Sequence, residues 1–243
     1  LSQAAAAGVG YSGSLNLIRE QARDLGAALG CEYFILGDSQ TVRRSPSNGP
    51  VYFESYASLF LVSARTGNLI RWERPSFKAP RAPDADKLLL SELSSAETRQ
   101  RFLASMRRAH EDELHQREFV SDSTNPVIEE APADDKTAEA AGVRLPRAFR
   151  RLRPTYPDAA ARADAEATVD VLADIDTTGE VIHVEIARWA GFGLDDATME
   201  TVRQLQFFPA MRNGKPIPIR VLLRYNFRKP TKWIIESHVK TTD

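Results

Sequence analysis

Thr168-Val169-Asp170-Val171-Leu172-Ala173-Asp174-Ile175-Asp176-Thr177-Thr178-Gly179-Glu180-Val181-Ile182-His183-Val184-Glu185-Ile186 is the stretch that decides the fold. Val169, Val171, Ala173 and Ile175 are apolar at every second position, with Thr168, Asp170, Asp174 and Asp176 as the polar alternates. Period two with one polar side describes an antiparallel strand over a core, its other face wet. Asp176-Thr177-Thr178-Gly179 supplies a turn, and Ile182, Val184 and Ile186 form the apolar face of the returning strand. Leu194, Ala197, Val202 and Leu205 then fit a helix with one face to bury, whose positive end Asp195 and Asp196 favour. The aromatic pair Phe207-Phe208 reads as an apolar cap on the sheet. In the longest strand, Ile217, Ile219, Val221, Leu223, Tyr225 and Phe227 alternate with Pro218, Arg220, Leu222, Arg224 and Asn226. Two strands, a helix and a third strand make an α+β module.

Upstream, Leu15, Ile18, Ala22, Leu25 and Leu29 share one helical face, with Ser14 placed to cap the start and Gly30 the end. Cys31 to Leu36 is apolar on both faces, which predicts a central, buried strand ended by Gly37, with Cys31 buried in it. A long run from Val51 to Ser63 reaches Ala64-Arg65-Thr66-Gly67-Asn68 and returns as Leu69-Ile70-Arg71-Trp72, a hairpin in which Gly67 can take positive φ. Beyond a proline-broken stretch, Ser94-Ser95-Ala96-Glu97 fits a capping box and predicts a helix to about Glu118 that buries Phe102, Met106 and Leu114. This order predicts an amino-terminal α/β layer.

Between the halves apolar periodicity disappears. Residues 119–152 carry Ser, Asp, Asn and Pro, then acids at Glu129, Glu130, Asp134 and Asp135, then Arg144, Arg147, Arg150, Arg151 and, just past them, Arg153. We read a linker that lets two domains, 1–118 and 153–243, move separately, with Leu145 and Phe149 able to pin part of it. The arginines read as solvated linker charge or as contacts to an anionic surface such as a cell-wall polymer.

The 243 residues are 42% apolar and 27% charged, enough for packed cores. A net charge of −1 gives no long-range field toward nucleic acid, so none is expected as partner. One cysteine excludes an internal disulfide and a thiolate metal cluster. There is neither an apolar run of membrane-spanning length nor a basic-then-apolar leader, although Leu1 is not a natural start.

Tyr156-Pro157, the strand of Val169 and Val171, Asp176-Thr177-Thr178-Gly179-Glu180-Val181, Leu194-Asp195, Val202, Phe207-Phe208-Pro209-Ala210, Gly214-Lys215-Pro216 and the last strand together resemble the carboxy-terminal domain of the TonB family. The resemblance covers about residues 153 to 228. It implies a non-catalytic, cofactor-free periplasmic protein that binds an extended segment of an outer-membrane receptor beside its last strand. It also implies inner-membrane motor proteins as partners, with an anchor upstream of Leu1. On that carry-over the partner-binding residues are Tyr156, at the domain entrance, and Arg220, Leu222, Arg224 and Asn226, beside the arriving strand. Ala167 stands where the family often has Gly, and Leu205-Gln206 where a Trp is common. The amino-terminal phrases Leu29 to Gly37 and Leu59 to Trp72 resemble the TolB amino-terminal and curli-secretion lipoprotein type of periplasmic domain, which implies docking or assembly.

Trp233, Ile235 and Val239 alternate with Lys232, Glu236 and His238, so residues 232–239 are expected to form a further strand able to seal the last edge. An envelope scaffold with a sealed edge, or a homodimer through paired last strands, is the alternative. Gly8-Val9-Gly10-Tyr11-Ser12-Gly13 spells a dinucleotide fingerprint, with Asp38 downstream, but the preceding alanines make a poor strand and favour a plain loop. His110 and His115 are five apart, too far around a helix to share a metal. Asp170, Asp174 and Asp176 read as the solvent side of their strand.

Overall fold

The computed structural model describes residues 2–122 and 128–229. After α1 (Ser2–Gly8) and a glycine-rich loop comes α2 (Arg19–Leu29). The Gln21 side chain accepts the Ile18 N–H at the start of α2, and Gly30, at φ 65°, returns its N–H to the carbonyls of Gly26 and Ala27. Ser14 is not the cap; its hydroxyl accepts from the Asn16 N–H, because residues 14–18 run non-helically to meet the carboxy-terminal half.

Strands β1 (Tyr33–Arg44), β2 (Tyr52–Ser63) and β3 (Leu69–Glu73) form an antiparallel meander, and β4 (Ser76–Ala79) pairs with the start of β2. The expected central strand is therefore an edge strand, and it continues through Gly37. An added Cβ at Gly37 would come within 2.5 Å of the Ser58 carbonyl oxygen, so this glycine allows close strand approach where the sequence suggested a stop. Cys31 is exposed, in the turn ahead of β1. Gly67 takes φ +74° in the hairpin turn.

Helix α3 (Ala82–Leu93) begins at the end of the proline-broken stretch of residues 75–83, with Pro83 in its first turn, where an N–H has no helical partner. In α4 (Ala96–Asp122) the Ser95 hydroxyl accepts the Thr98 N–H. Phe102 is buried as expected, but Leu114 is exposed and its neighbour Glu113 is buried, bonded to the Ser63 hydroxyl at 2.7 Å and to Arg65. That hydrogen-bonded acid, rather than the leucine, faces the sheet.

The carboxy-terminal half begins before residue 153. It comprises β5 (Glu129–Glu130), α5 (Asp135–Ala140), β6 (Val143–Arg144), β7 (Arg147–Ala148), α6 (Asp158–Ala163), β8 (Ala167–Ile175), β9 (Val181–Arg188) and α7 (Leu194–Arg203). Then come β10 (Phe207–Phe208), β11 (Ala210–Arg212), β12 (Lys215–Ile217) and β13 (Ile219–Phe227). The main sheet has the order β5-β13-β8-β9, β6 joins β11 and β12, and β7 pairs with β10. The described part of the expected linker thus carries short strands and a helix, and its Ala138 and Val143 are buried in the same core as Val169, Val171, Ala173 and Ile175. Leu145 packs on that core as well.

Across the sheet, α7 lays Leu194, Thr198 and Val202 inward. Ile182 is exposed, because the β8 and β9 register shifts between Asp174 and Ile175, leaving Val181, Val184 and Ile186 toward the core. Phe207 is buried, whereas Phe208, expected to share the core, is about half exposed. Pro218 separates β12 from β13, so Ile217 belongs to the former.

The two halves interlock. Trp189, which follows β9, is buried among Leu17, Leu25, Phe60 and Val62 of the amino-terminal half. It stacks on Phe60 at 5.7 Å between centroids and donates its indole N–H to the Gly67 carbonyl at 3.1 Å. Phe192 meets Phe60 and Trp72 edge-on or tilted. Asn16 donates from its amide to the Trp189 and Thr168 carbonyls, at 2.6 and 2.9 Å, and Arg19 pairs with Glu185. An apolar plug of this kind opposes the separate movement that a coil linker would permit.

Candidate functional site

Strand β13 pairs with β8 along its whole length, from Ile219 opposite Ile175 to Phe227 opposite Ala167. Its other side meets β5 only at Ile219 and Arg220, where the Ala131 N–H donates to the Arg220 carbonyl at 2.7 Å. Backbone groups alternate sides along a strand, so the N–H and C=O of Leu222, Arg224 and Asn226 point to the same outer side as those of Arg220. Beyond β5 no described strand meets them. Among the described residues the result is an edge with unpaired donors and acceptors, closed at one end by a two-residue parallel strand.

The side chains of these residues lie on the face opposite the core, where the charge is organised. Arg220 makes two hydrogen bonds to Asp174, at 2.6 and 2.8 Å, and Arg224 makes two to Asp170, at 2.7 and 3.0 Å. Arg188 adds a third to Asp170 at 3.0 Å. Asp170 and Asp174 are buried, 2% and 3% exposed, and so are not the solvent side that alternation suggested. Neighbouring strands place arginines directly opposite both acids, and the guanidinium groups roof them. Burial raises the Asp170 carboxyl, and the hydrogen bonds from Arg224 and Arg188 outweigh it, leaving the group below its ordinary value. Between the two arginines, Leu222 stands 54% exposed, opposite Leu172. The Thr168 hydroxyl and the Asn226 side-chain oxygen are 2.8 Å apart.

Tyr156 lies at the far end of this strand. Its hydroxyl donates to the Ala165 carbonyl at 2.6 Å, and its ring centroid is 6.4 Å from that of Phe227. Burial, with Asp164 and Glu166 nearby, pushes the phenol above its ordinary value. Arg220, Leu222, Arg224 and Asn226 therefore share one strand face and one edge, while Tyr156 ties α6 to the strand's end. Residues 232–239, read as a sealing strand, lie outside the described residues.

A second feature escaped sequence reading. A cavity of about 690 Å³ opens between β3 and β9, lined by Arg71, Trp72, His183, Glu185, Asp195 and Met199 among others. Asp195, expected only to favour a helix end, is half-buried there and accepts the N–H groups of Ala190 and Gly191 at 2.8 and 2.7 Å. Burial raises its carboxyl to about 6, against those two hydrogen bonds, with Asp196 adding to the rise. Among the described residues, no group of His, Cys, Asp and Glu is arranged to hold a metal, and no helix is long and apolar enough to cross a membrane. The glycine-rich loop follows a helix, α1, rather than a strand.

No curated protein matches the chain. Among solved structures, the Pseudomonas aeruginosa TonB carboxy-terminal domain, determined by NMR in solution, is similar at 19% identity and a TM-score of 0.31, covering 36% of this chain and 89% of that one. Residues 153–228 match the family model described as Gram-negative bacterial TonB protein C-terminal. That match spans α6, α7 and β8 to β13 with its open edge, while β5, β6 and β7 lie outside it, so residues 153–228 are a TonB-type carboxy-terminal domain within the chain.

Proposed function

We propose that this is a periplasmic protein that binds an extended segment of an outer-membrane receptor by strand addition along the outer side of β13, in support of energy-coupled transport. The observation that carries the reading is the row of backbone groups at Leu222, Arg224 and Asn226 that, among the described residues, have no strand partner, on a strand already held by β8. An arriving segment satisfies those groups with main-chain hydrogen bonds, and Leu222, between two tethered arginines, offers the apolar contact. Arg220 and Arg224 act as a rigid frame, because their guanidinium groups are fixed on Asp174 and Asp170. The amino-terminal unit, residues 1–118, serves docking rather than catalysis.

Leu222→Pro tests this directly. The Leu222 N–H faces outward, so proline removes an edge donor without taking a bond from the β13 and β8 ladder. Titration of the chain with peptides from receptor plug segments should give saturable binding that Leu222→Pro abolishes while the thermal midpoint holds. Failure of every such peptide to bind, or undiminished binding by the variant, refutes the proposal. A scaffold function is favoured instead by the Trp189 plug joining the halves. It predicts no peptide binding before or after deletion of residues 229–243.

A further inference from the structure

Four arginines and no acid fall within residues 147–153, against a net charge of −1 for the whole chain. Among the described residues, Arg147, Arg150, Arg151 and Arg153 make no ion pair, unlike Arg188, Arg220 and Arg224, which are all engaged by buried acids. All four are exposed. Arg144 differs, since it shares a hollow with Glu139.

Two phenylalanines stand among these charges. Strand β7 sets Arg147 opposite Phe208 of β10, and the Phe149 N–H donates to the Gln206 carbonyl, which fixes Phe149 beside the same strand. The Phe149 and Phe208 rings meet edge to face at 4.2 Å, and the Arg147 guanidinium lies 5.4 Å from the centre of the Phe208 ring. Both rings stay in water, 55% and 47% exposed. A solvated linker has no use for two ordered, exposed aromatic rings, and an acidic peptide would answer only the arginines. An anionic lipid surface answers both: guanidinium groups reach lipid phosphates while their stems and the rings enter the headgroup layer.

We propose that Arg147, Phe149, Arg150, Arg151, Arg153 and Phe208 form a peripheral docking surface for anionic phospholipid. It takes in the paired β7 and β10 strands and the residues that follow β7, and does not depend on peptide binding at the β13 edge. Each arginine near such a surface contributes about fivefold to partitioning, so four give on the order of several hundredfold, lost as salt shortens the screening length.

The test is sedimentation of the whole chain with phosphatidylcholine vesicles, with and without phosphatidylglycerol, at low and high salt. Binding is expected only with phosphatidylglycerol at low salt, and should fall on the order of 100-fold or more in Arg150→Glu/Arg151→Glu. Phe149→Ala should weaken it by about tenfold, and Leu222→Pro should leave it unchanged. Circular dichroism melts check that each variant stays folded. No partition into anionic vesicles, equal partition into neutral ones, or binding untouched by the double charge reversal overturns the proposal. So does binding to heparin without binding to vesicles, which would give the arginines to a soluble glycan.

Discussion

Replacing Trp189 by alanine should do more than weaken the fold; it should divide it. A tryptophan buries roughly 150–250 Å² of surface, which at about 25 cal/mol/Å² corresponds to roughly 4–6 kcal/mol. Trp189 is 1% exposed, so nearly all of that applies. The unfolded chain hides part of its surface already, which lowers the value to about 3–5 kcal/mol, in line with large-to-small changes in cores. Losing the indole N–H leaves the Gly67 carbonyl without its partner and adds about 1 kcal/mol. For a chain of this length about 4–6 kcal/mol should lower the melting midpoint by roughly 8–24 °C. Trp189 comes from the family-matched domain yet packs on Leu17, Leu25, Phe60 and Val62, so its loss falls on the junction. Calorimetry should show one transition in the parent chain and two in Trp189→Ala, while Trp189→Phe, which keeps the stack, should lose only about 1–2 kcal/mol and remain single. A single transition displaced by less than a few degrees in Trp189→Ala would refute the interlock.

Two further outcomes follow from the buried acids. The Asp195 carboxyl holds its proton to about pH 6, above its unfolded value of 3.8, so the native state binds more protons between those limits. Its contribution is therefore fully present below about pH 4 and declines as pH rises through 6, by up to about 3 kcal/mol. Urea midpoints of the parent and Asp195→Asn, compared from pH 4 to 7, should diverge across that window; a constant difference contradicts the assignment. Arg220→Ala strands Asp174 without an ion-pair partner and should cost about 2–3 kcal/mol, less than a fully enclosed pair because Arg220 itself is partly exposed. Arg224→Ala leaves Arg188 on Asp170 and should cost less than Arg220→Ala. Equal losses in denaturant titration would show that Arg188 does not share the load.

The strand period of Val169 to Ile175 was legible because burial on one face and exposure on the other writes itself into every second residue. Asp170 and Asp174 broke that logic without breaking the strand. A carboxylate bonded to two guanidinium nitrogens can be buried as completely as a valine, and the arginines that allow this lie 18 to 54 residues away in sequence. Residues 128–152 hid for another reason: β5, β6 and β7 are two residues each, too short for any period, and they are strands only because β10, β11 and β13 are there to pair with. β5 also bounds the candidate site. Its pairing beside Ile219 and Arg220, with the Ala131 N–H on the Arg220 carbonyl, occupies the start of the β13 edge, so a segment joining that edge must begin its ladder at Leu222. Family resemblance indicated the strand, but only the register of this short parallel pair fixes which backbone groups remain open. The same register makes position 222, rather than 220, the place where a single proline should separate binding from folding.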